Sequence, residues 1–338
     1  MYVIRPIAQK DLDGLYDLAA ESTFGITTLT KDRKILEKKI HHSLESFSKL
    51  GDGPAGQTYL FIMEDTETGK IIGTSAIESK VGGFKPFYSF RVETLDLKSD
   101  SLKKRREIRI LHLYRDYNGP SALGTLYLKP EYRHSGTGRF LSLVRFVFMA
   151  DFMQSFEPHV IAEMRGVIDD NGYSPFWEAV GRHFFDIDFP EADYLTGVDK
   201  TFIEELMPSY PIYVNLLPKD AQNVIGKTHP NTEPALNILY NEGFSFSHHV
   251  DIFESGPLIK ADIKNIRSIR QSTRAKIKGF RDIPSGYADY IISNSRADFR
   301  AVKTRIHVEE DGVWLSAKDA AGLEVHEGDS IRYVTLRA

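Results

Sequence analysis

The sequence predicts an α+β protein: a mixed central sheet flanked by helices, interrupted by insertions and closed by a small β-rich subdomain at its C-terminal end. Three observations carry this. Residues 123–148, LGTLYLKPEYRHSGTGRFLSLVRFVF, hold a short apolar run, a Lys129-Pro130 break, a glycine turn and an apolar-periodic run, the pattern of strand, turn and helix. The chain opens with a strand at 2–6 followed by Leu12, Leu15, Tyr16 and Ala19 at helical spacing. From Tyr287 onward, run after run reads as strand: 287–293, 299–308, 313–316 and 331–336.

The remaining elements follow in order. Leu36, Ile40, Leu44 and Phe47 mark one face of a second helix, which Gly51-Asp52-Gly53-Pro54 ends. Residues 57–64 and 71–78 read as an antiparallel hairpin around Asp65-Thr66-Glu67-Thr68-Gly69, and Gly73 marks a bulge. Between 82 and 122 only 88–95 reads as a strand, and the basic cluster Lys103-Lys104-Arg105-Arg106 reads as a solvated turn. A strand at 160–164 and a helix around Pro175-Phe176-Trp177 come next, and 181–228 reads as irregular, an elaboration of the main domain. Thr232 is a candidate cap for a helix that begins with Glu233 and Pro234 and ends at Gly243. A strand over 244–253 then leads to Gly256-Pro257, the expected domain boundary, which divides the chain into 1–256 and 257–338. Beyond it lie a basic helical segment (Ile263, Ile266, Ile269) and a Ser/Arg/Lys-rich region.

Composition narrows the function classes. A net charge of -4 gives nucleic acid and anionic membranes no general attraction, so neither is expected as a partner. With no cysteine there is no thiolate nucleophile, disulfide or Cys-type zinc site, and the His41-His42 and His248-His249 pairs lack metal-ligand spacing, so no metal is assigned. The first residues lack a charged-then-apolar leader and no apolar run approaches the length of a membrane span; a cytoplasmic location is expected. The glycine turn at 133–138 is suited to anions, because glycine lets a ligand approach the backbone and helix-start amides point toward it.

Three separated pieces together resemble the GNAT acyltransferases: the opening VIRPIAQKDLDGLYDLA, the turn Arg133-x-x-Gly136-x-Gly138, and Asn231-x-x-Pro234-Ala235-x-x-Ile238-Leu239-Tyr240-x-x-Gly243-Phe244. The resemblance narrows to the arginine N-succinyltransferase family through PFYSFRVETL (86–95), VIAEMRGVIDDNGYSPFWEAVGRHFF (160–185), FIEELMPSYPIY (202–213), IGKTHPNTEPA (225–235) and VDIFESGP (250–257). It implies a GNAT-like fold and transfer of succinyl from succinyl-CoA to the α-amine of L-arginine, with succinyl-CoA as co-substrate and no tightly bound cofactor. It also implies that His229 is the proton donor, that Leu126 contacts succinyl-CoA, and that Arg133, Gly136 and Gly138, with the adjoining Arg139, hold the pyrophosphate. An ornithine/arginine succinyltransferase subunit, or a non-catalytic acyl-CoA-binding partner subunit, is the alternative.

The chemistry agrees with these roles. An amine attacks a thioester, an oxyanion forms and a thiolate leaves, so partners must be positioned and charge stabilised without a covalent intermediate. His229 titrates near neutrality and Pro230 holds it extended ahead of a helix. Leu126 would serve through its backbone amide, and Tyr240 stands either near the departing sulfur or on a helix core face. The succinyl carboxylate needs a guanidinium, for which Arg91 and Arg165 are candidates; substrate arginine needs carboxylates, for which Glu163 and Asp251 are candidates. A homo-oligomer, or pairing with a similar chain, is expected from the prevalence of symmetric assembly.

Overall fold

The computed structural model describes residues 1–22, 28–198 and 201–337. The chain opens with β1 (Tyr2–Pro6), α1 (Leu12–Glu21) and α2 (Arg33–Ser48). The two helices bury Leu15, Leu18, Leu36 and Ile40 on one face of the sheet. The Asp32 carboxylate starts α2 by accepting from the amides of Lys34 and Ile35. β2 (Thr58–Asp65) and β3 (Lys70–Glu78) form the expected hairpin, and its register shifts opposite Gly73.

The 82–122 stretch differs most from expectation. It is a long two-stranded arm, β4 (Gly82–Ser99) and β5 (Lys104–Asn118), in register from Phe87 opposite Asp116 to Ser99 opposite Lys104, with a register shift between Phe87 and the Gly82–Asn118 pair. Lys103 lies in its turn and Lys104–Arg106 begin β5. Because only Ile110 and Leu111 of β5 are buried, the strand carries no apolar alternation for the sequence to show.

β6 (Ser121–Leu128) leads through the glycine turn into α3 (Thr137–Asp151), and β7 (His159–Glu163) returns parallel to β6. Phe140, Leu141, Val144 and Phe148 of α3 fill the principal core on the opposite face from α1 and α2. Residues 181–228 are not irregular. With α4 (Pro175–Ala179) they form short helices, α5 (Gly181–Phe185), α6 (Phe189–Val198), α7 (Thr201–Leu206) and α8 (Lys219–Val224), and the edge strand β8 (Ile212–Tyr213) between α7 and α8. All but α6 complete too few turns to display a period, and α6 carries little apolar periodicity. Tertiary packing holds them: Trp177 stacks on Phe185 at 5.5 Å and on Phe253 at 5.6 Å within a second core. A Cβ on Gly181 would lie 2.2 Å from the Trp177 ring, so the residue must be glycine for the rings to pack.

After α9 (Glu233–Asn241) come β9 (Ser245–Val250) and β10 (Pro257–Asp262). Gly256-Pro257, expected as the domain boundary, opens β10, which pairs with both β7 and β9 inside the main sheet. The glycine serves close packing rather than a linker, since a Cβ there would meet the Met164 carbonyl oxygen at 2.0 Å. The basic segment beyond it shrinks to a 3-10 turn and a single helical turn, α10 (Arg267–Arg270), whose isoleucines join the principal core. The chain then crosses to the C-terminal strands at β11 (Thr273–Phe280), in the region that read as flexible.

The C-terminal unit holds β12 (Asp289–Ser293), β13 (Ala301–Arg305), β14 (His307–Glu309), β15 (Gly312–Leu315), an unexpected helix α11 (Ala317–Leu323) and β16 (Ser330–Thr335). It has its own core around Ile277, Ile292, Val313, Leu323 and Ile331. β13 pairs with β1, Val302 opposite Val3, so one sheet runs β14-β15-β11-β16-β12-β13-β1-β2-β3-β6-β7-β10-β9-β4-β5-β8. Buried Asp151, at the end of α3, accepts from Arg274 at 2.8 Å and Arg332 at 2.7 Å, which fastens the unit to the main body.

Candidate active site

The site forms where β6 and β7 part. Their parallel register runs only from Ser121 opposite Val160 to Leu123 opposite Ala162. Beyond it β6 kinks: Thr125 adopts φ 50° and the pairing with β3 shifts register between Thr74 and Ala76. From Gly124 onward the β7 side of β6 has no strand partner among the described residues, and a Cβ added at Gly124 would meet open space. Leu126 lies on this free edge with its half-buried side chain against the principal core, so the backbone, not the side chain, faces the opening. Lys39 of α2 donates to Thr125 Oγ1 at 3.1 Å and covers the kink from the other side.

The glycine turn closes one end of this opening. Arg133 donates through Nε to the Leu128 carbonyl at 2.9 Å and its guanidinium lies over the Tyr127 ring, tying the turn back to β6. Ser135 and Gly136 both take positive φ, 52° and 79°, to reverse the chain into α3. The Thr137 and Phe140 amides are satisfied by the carbonyls of His134 and Gly136. Among the described residues no carbonyl accepts from the amides of Gly138 or Arg139, which leaves two donors at the positive end of the α3 dipole. Gly138 is not required by packing, since a Cβ would make only an ordinary 3.8 Å contact with Leu128; its lack of a side chain leaves the amides open to a ligand.

The other end is built around His229. Its amide donates to the Arg165 carbonyl at 2.8 Å, which seats it against the chain leaving β7. Its Nδ1 accepts from the Asn231 amide at 3.1 Å, so the neutral ring carries its proton on Nε2. Burial, reinforced by the Arg165 guanidinium, holds the ring below its ordinary titration; a hydrogen bond to the Ile168 backbone and the charge of Asp170 oppose the shift. The expected cap, Thr232, makes no side-chain capping bond, and His229 does that work one turn earlier.

The structure brings Arg165 to His229 and separates the other polar candidates. Arg165 is half-buried, and burial lowers its titration against the favourable charges of Glu254, Asp193 and Asp170. Glu163 is exposed at the end of β7. Asp251 shapes its own turn, Oδ1 accepting from the amides of Phe253 and Glu254 at 2.7 and 2.8 Å. Arg91 lies on β4, 54 % exposed and 3.9 Å from Glu93; β10 and β9 intervene between β4 and β7, roughly 14 Å across the sheet. Tyr240 is 43 % exposed on α9, so it does not serve the core. Arg139 is held below its ordinary titration by burial and by the neighbouring Arg267 and Arg337.

One residue of this region had no signal in the sequence. Glu254 is buried, and its Oε1 accepts from the Gly166 amide at 2.7 Å. Burial, with the charge of Asp251 beside it, pushes its carboxyl well above the carboxylate range. Together with the bonds from Gly226 N to Ser255 O and from His229 N to Arg165 O, it stitches residues 254–256, 165–166 and 226–229 into one block. A buried glutamate inside a turn looks like a surface glutamate in sequence. Among the described residues no group of three or more His, Asp or Glu side chains is placed to hold a metal ion, and no helix is long and apolar enough to cross a membrane.

Comparison with known proteins fits this geometry to a family. The chain is 43 % identical over 344 residues to an arginine N-succinyltransferase of Yersinia enterocolitica, covering 100 % of this chain and 99 % of that one. It is 41 % identical over 341 residues to one of Salmonella paratyphi B, covering 100 % and 98 %. A solved structure, the arginine/ornithine succinyltransferase subunit AI from Pseudomonas aeruginosa, superposes with a TM-score of 0.91 at 37 % identity, over 100 % of this chain and 99 % of that one. The family model of the arginine N-succinyltransferase beta subunit matches residues 2–268, and that of its C-terminal domain matches 273–335. The chain is an acyltransferase and belongs to the arginine N-succinyltransferase beta subunit family.

Proposed function

We propose that this chain transfers the succinyl group of succinyl-CoA to the α-amine of L-arginine. The observation that carries the reading is the parting of β6 from β7 beyond Leu123, with free amides at the glycine turn and His229 on the segment packed against the end of β7. The pantetheine arm lies along the free edge of β6 as an added strand would, and the Gly138 and Arg139 amides take the pyrophosphate. The thioester then rests beside the Leu126 amide. Arginine enters with its guanidinium protonated, and only its α-amine, which titrates near about pH 8, becomes a nucleophile.

The amine nitrogen bonds to the thioester carbon, the carbon–sulfur bond breaks, and the proton lost by the nitrogen ends on the CoA sulfur. Because Nδ1 of His229 is already taken by the Asn231 amide, the neutral ring acts through Nε2–H, a donor for charge that develops on the thioester oxygen or the departing sulfur. Arg165, beside His229, is the cation best placed for the succinyl carboxylate. Glu163, at the end of β7, and Tyr240, on the helix that follows His229, are the side chains through which the amino acid is read. The reaction is set in the cytoplasm, in a homo-oligomer or a pair with a similar chain; Tyr210 and Leu216, 86 % and 83 % exposed on either side of β8, supply an apolar edge for that contact.

The test is succinyl-CoA-dependent loss of the arginine α-amine with CoA released in equal amount. Purified chain that turns over no acyl-CoA with arginine or ornithine would remove the reading. The pH profile follows from the depressed His229. Protonation at Nδ1 breaks the Asn231 bond, so kcat/KM rises as the ring loses its proton, with an acid limb below 6.5. It rises again toward about pH 8 as free arginine loses its ammonium proton. An acid limb at or above 6.5 contradicts the neutral-donor role.

A further inference from the structure

The C-terminal unit reaches the glycine turn and leaves a cleft of about 700 Å³ beside it. Ser135 of the turn forms one wall, and Lys303, Arg305 and Arg337 are among the residues that form the other. Lys303 Nζ donates to the Ser135 carbonyl, and Leu336 lies against Gly136, where an added Cβ would come within 3.1 Å of it. The turn is therefore positioned by the C-terminal unit as well as by β6.

The charges in and around this cleft are unevenly satisfied. Asp319 accepts from Thr304 Oγ1 at 2.6 Å and from Ser316 Oγ at 2.5 Å, and Asp289 lies 3.5 Å from Arg305. Asp282 is the remaining acid of the lining. Arg337, by contrast, is exposed and has no carboxylate within ion-pair distance among the described residues, and neither has Arg139 on the first turn of α3. The charge of Arg337 adds to burial and Arg267 in holding the Arg139 guanidinium below its ordinary titration, while Glu242, which opposes that shift, is bonded to Arg267 at 2.7 Å. A guanidinium left without an ion pair in the wall of a cleft is stabilised by an anion that it can reach.

We propose that the C-terminal unit completes the acyl-CoA site by binding the 3′-phosphoadenosine end of CoA, with Arg337 and Lys303 around the ribose phosphate. The cleft begins at the turn assigned to the pyrophosphate, so the nucleoside needs no extra reach to enter it. Its mixed lining suits this group: cations for the phosphate, and carboxylates for the amine of adenine and the hydroxyl of ribose. The inference rests on the reading of the glycine turn as the pyrophosphate site and adds a second, separate contact to it.

Calorimetric titration of the full chain with CoA and with 3′-dephospho-CoA tests it. Wild type binds CoA about tenfold more tightly than 3′-dephospho-CoA, the size of one good charge-assisted contact. In Arg337→Ala that preference falls to about twofold or less while the affinity for 3′-dephospho-CoA stays within about twofold of wild type. Arg337→Lys keeps part of the preference, and melting temperatures of both variants match wild type because the side chain is exposed and makes no ion pair among the described residues. Equal binding of the two ligands by wild type, or equal weakening of both by Arg337→Ala, overturns the inference while leaving the acyltransferase reading intact. Wild type that binds neither ligand overturns both.

Discussion

His229→Ala lowers kcat by about 10²–10³-fold and leaves the KM for succinyl-CoA near its wild-type value, the loss associated with removing one preorganised donor from an acyl-transfer site. The CoA affinity is spared because the glycine turn that holds the pyrophosphate packs on β6 and the C-terminal unit, not on the His229 segment. His229→Gln sharpens the test. A glutamine places an N–H close to the position of Nε2 but cannot exchange a proton near neutral pH, so it retains part of the activity if donation of a hydrogen bond is the role. Equal loss in both variants would instead assign His229 a full proton transfer, and steady-state rates against succinyl-CoA and arginine separate the two.

Gly256→Ala destabilises the fold by about 3 kcal/mol or more, which for a chain of this size lowers Tm by roughly 4 °C or more. A Cβ at this position would stand 2.0 Å from the Met164 carbonyl oxygen and 2.6 Å from the Gly166 amide nitrogen, and both neighbours are backbone that no rotamer change can move. Relief requires β7 and β10 to separate, which also pulls Glu254 from Gly166 and shifts the carbonyl that seats His229. Activity therefore falls further than the folded fraction. Gly69→Ala is the control: φ is 67° but nothing lies within 4 Å of the added carbon, and the cost is about 1 kcal/mol. Thermal melts of the two variants decide the point, and equal melting temperatures would refute the packing argument.

What could be read from the sequence follows the physics of each signal. The glycine turn was legible because positive φ, the strand before it and the amphipathic run after it are all local demands. The hairpin at 58–78 and the apolar face of α2 were legible for the same reason. β5 was hidden because only Ile110 and Leu111 of it are fully buried, so its side chains show no alternation toward a core. The helices of 181–228 were hidden because α5, α7 and α8 are shorter than the pattern that would reveal them and α6 carries little apolar periodicity, and they are held by Trp177, Phe185 and Phe253 from three separate stretches. At the site, Arg165 was a candidate by charge alone, and only the fold places it against His229 while leaving Arg91 across two intervening strands. Glu254 carries no mark at all in the sequence, because burial of an acid is decided by what packs around it.

The pairing of β1 with β13 joins residues at opposite ends of the polypeptide, Val3 with Val302. A ribosome releases β1 long before β13 exists, so the nascent chain must carry one unpaired edge in the middle of its future sheet through most of synthesis. Closing that contact spans nearly the whole chain, which slows folding far more than it weakens the final state, because loop entropy grows only with the logarithm of length. Until it closes, the exposed margin of β1 is a template for a neighbouring chain. The yield of active protein should therefore depend on how quickly the last third of the chain arrives, and growth at reduced temperature, or with chaperones that shield exposed strands, should raise soluble yield without altering the specific activity of what folds.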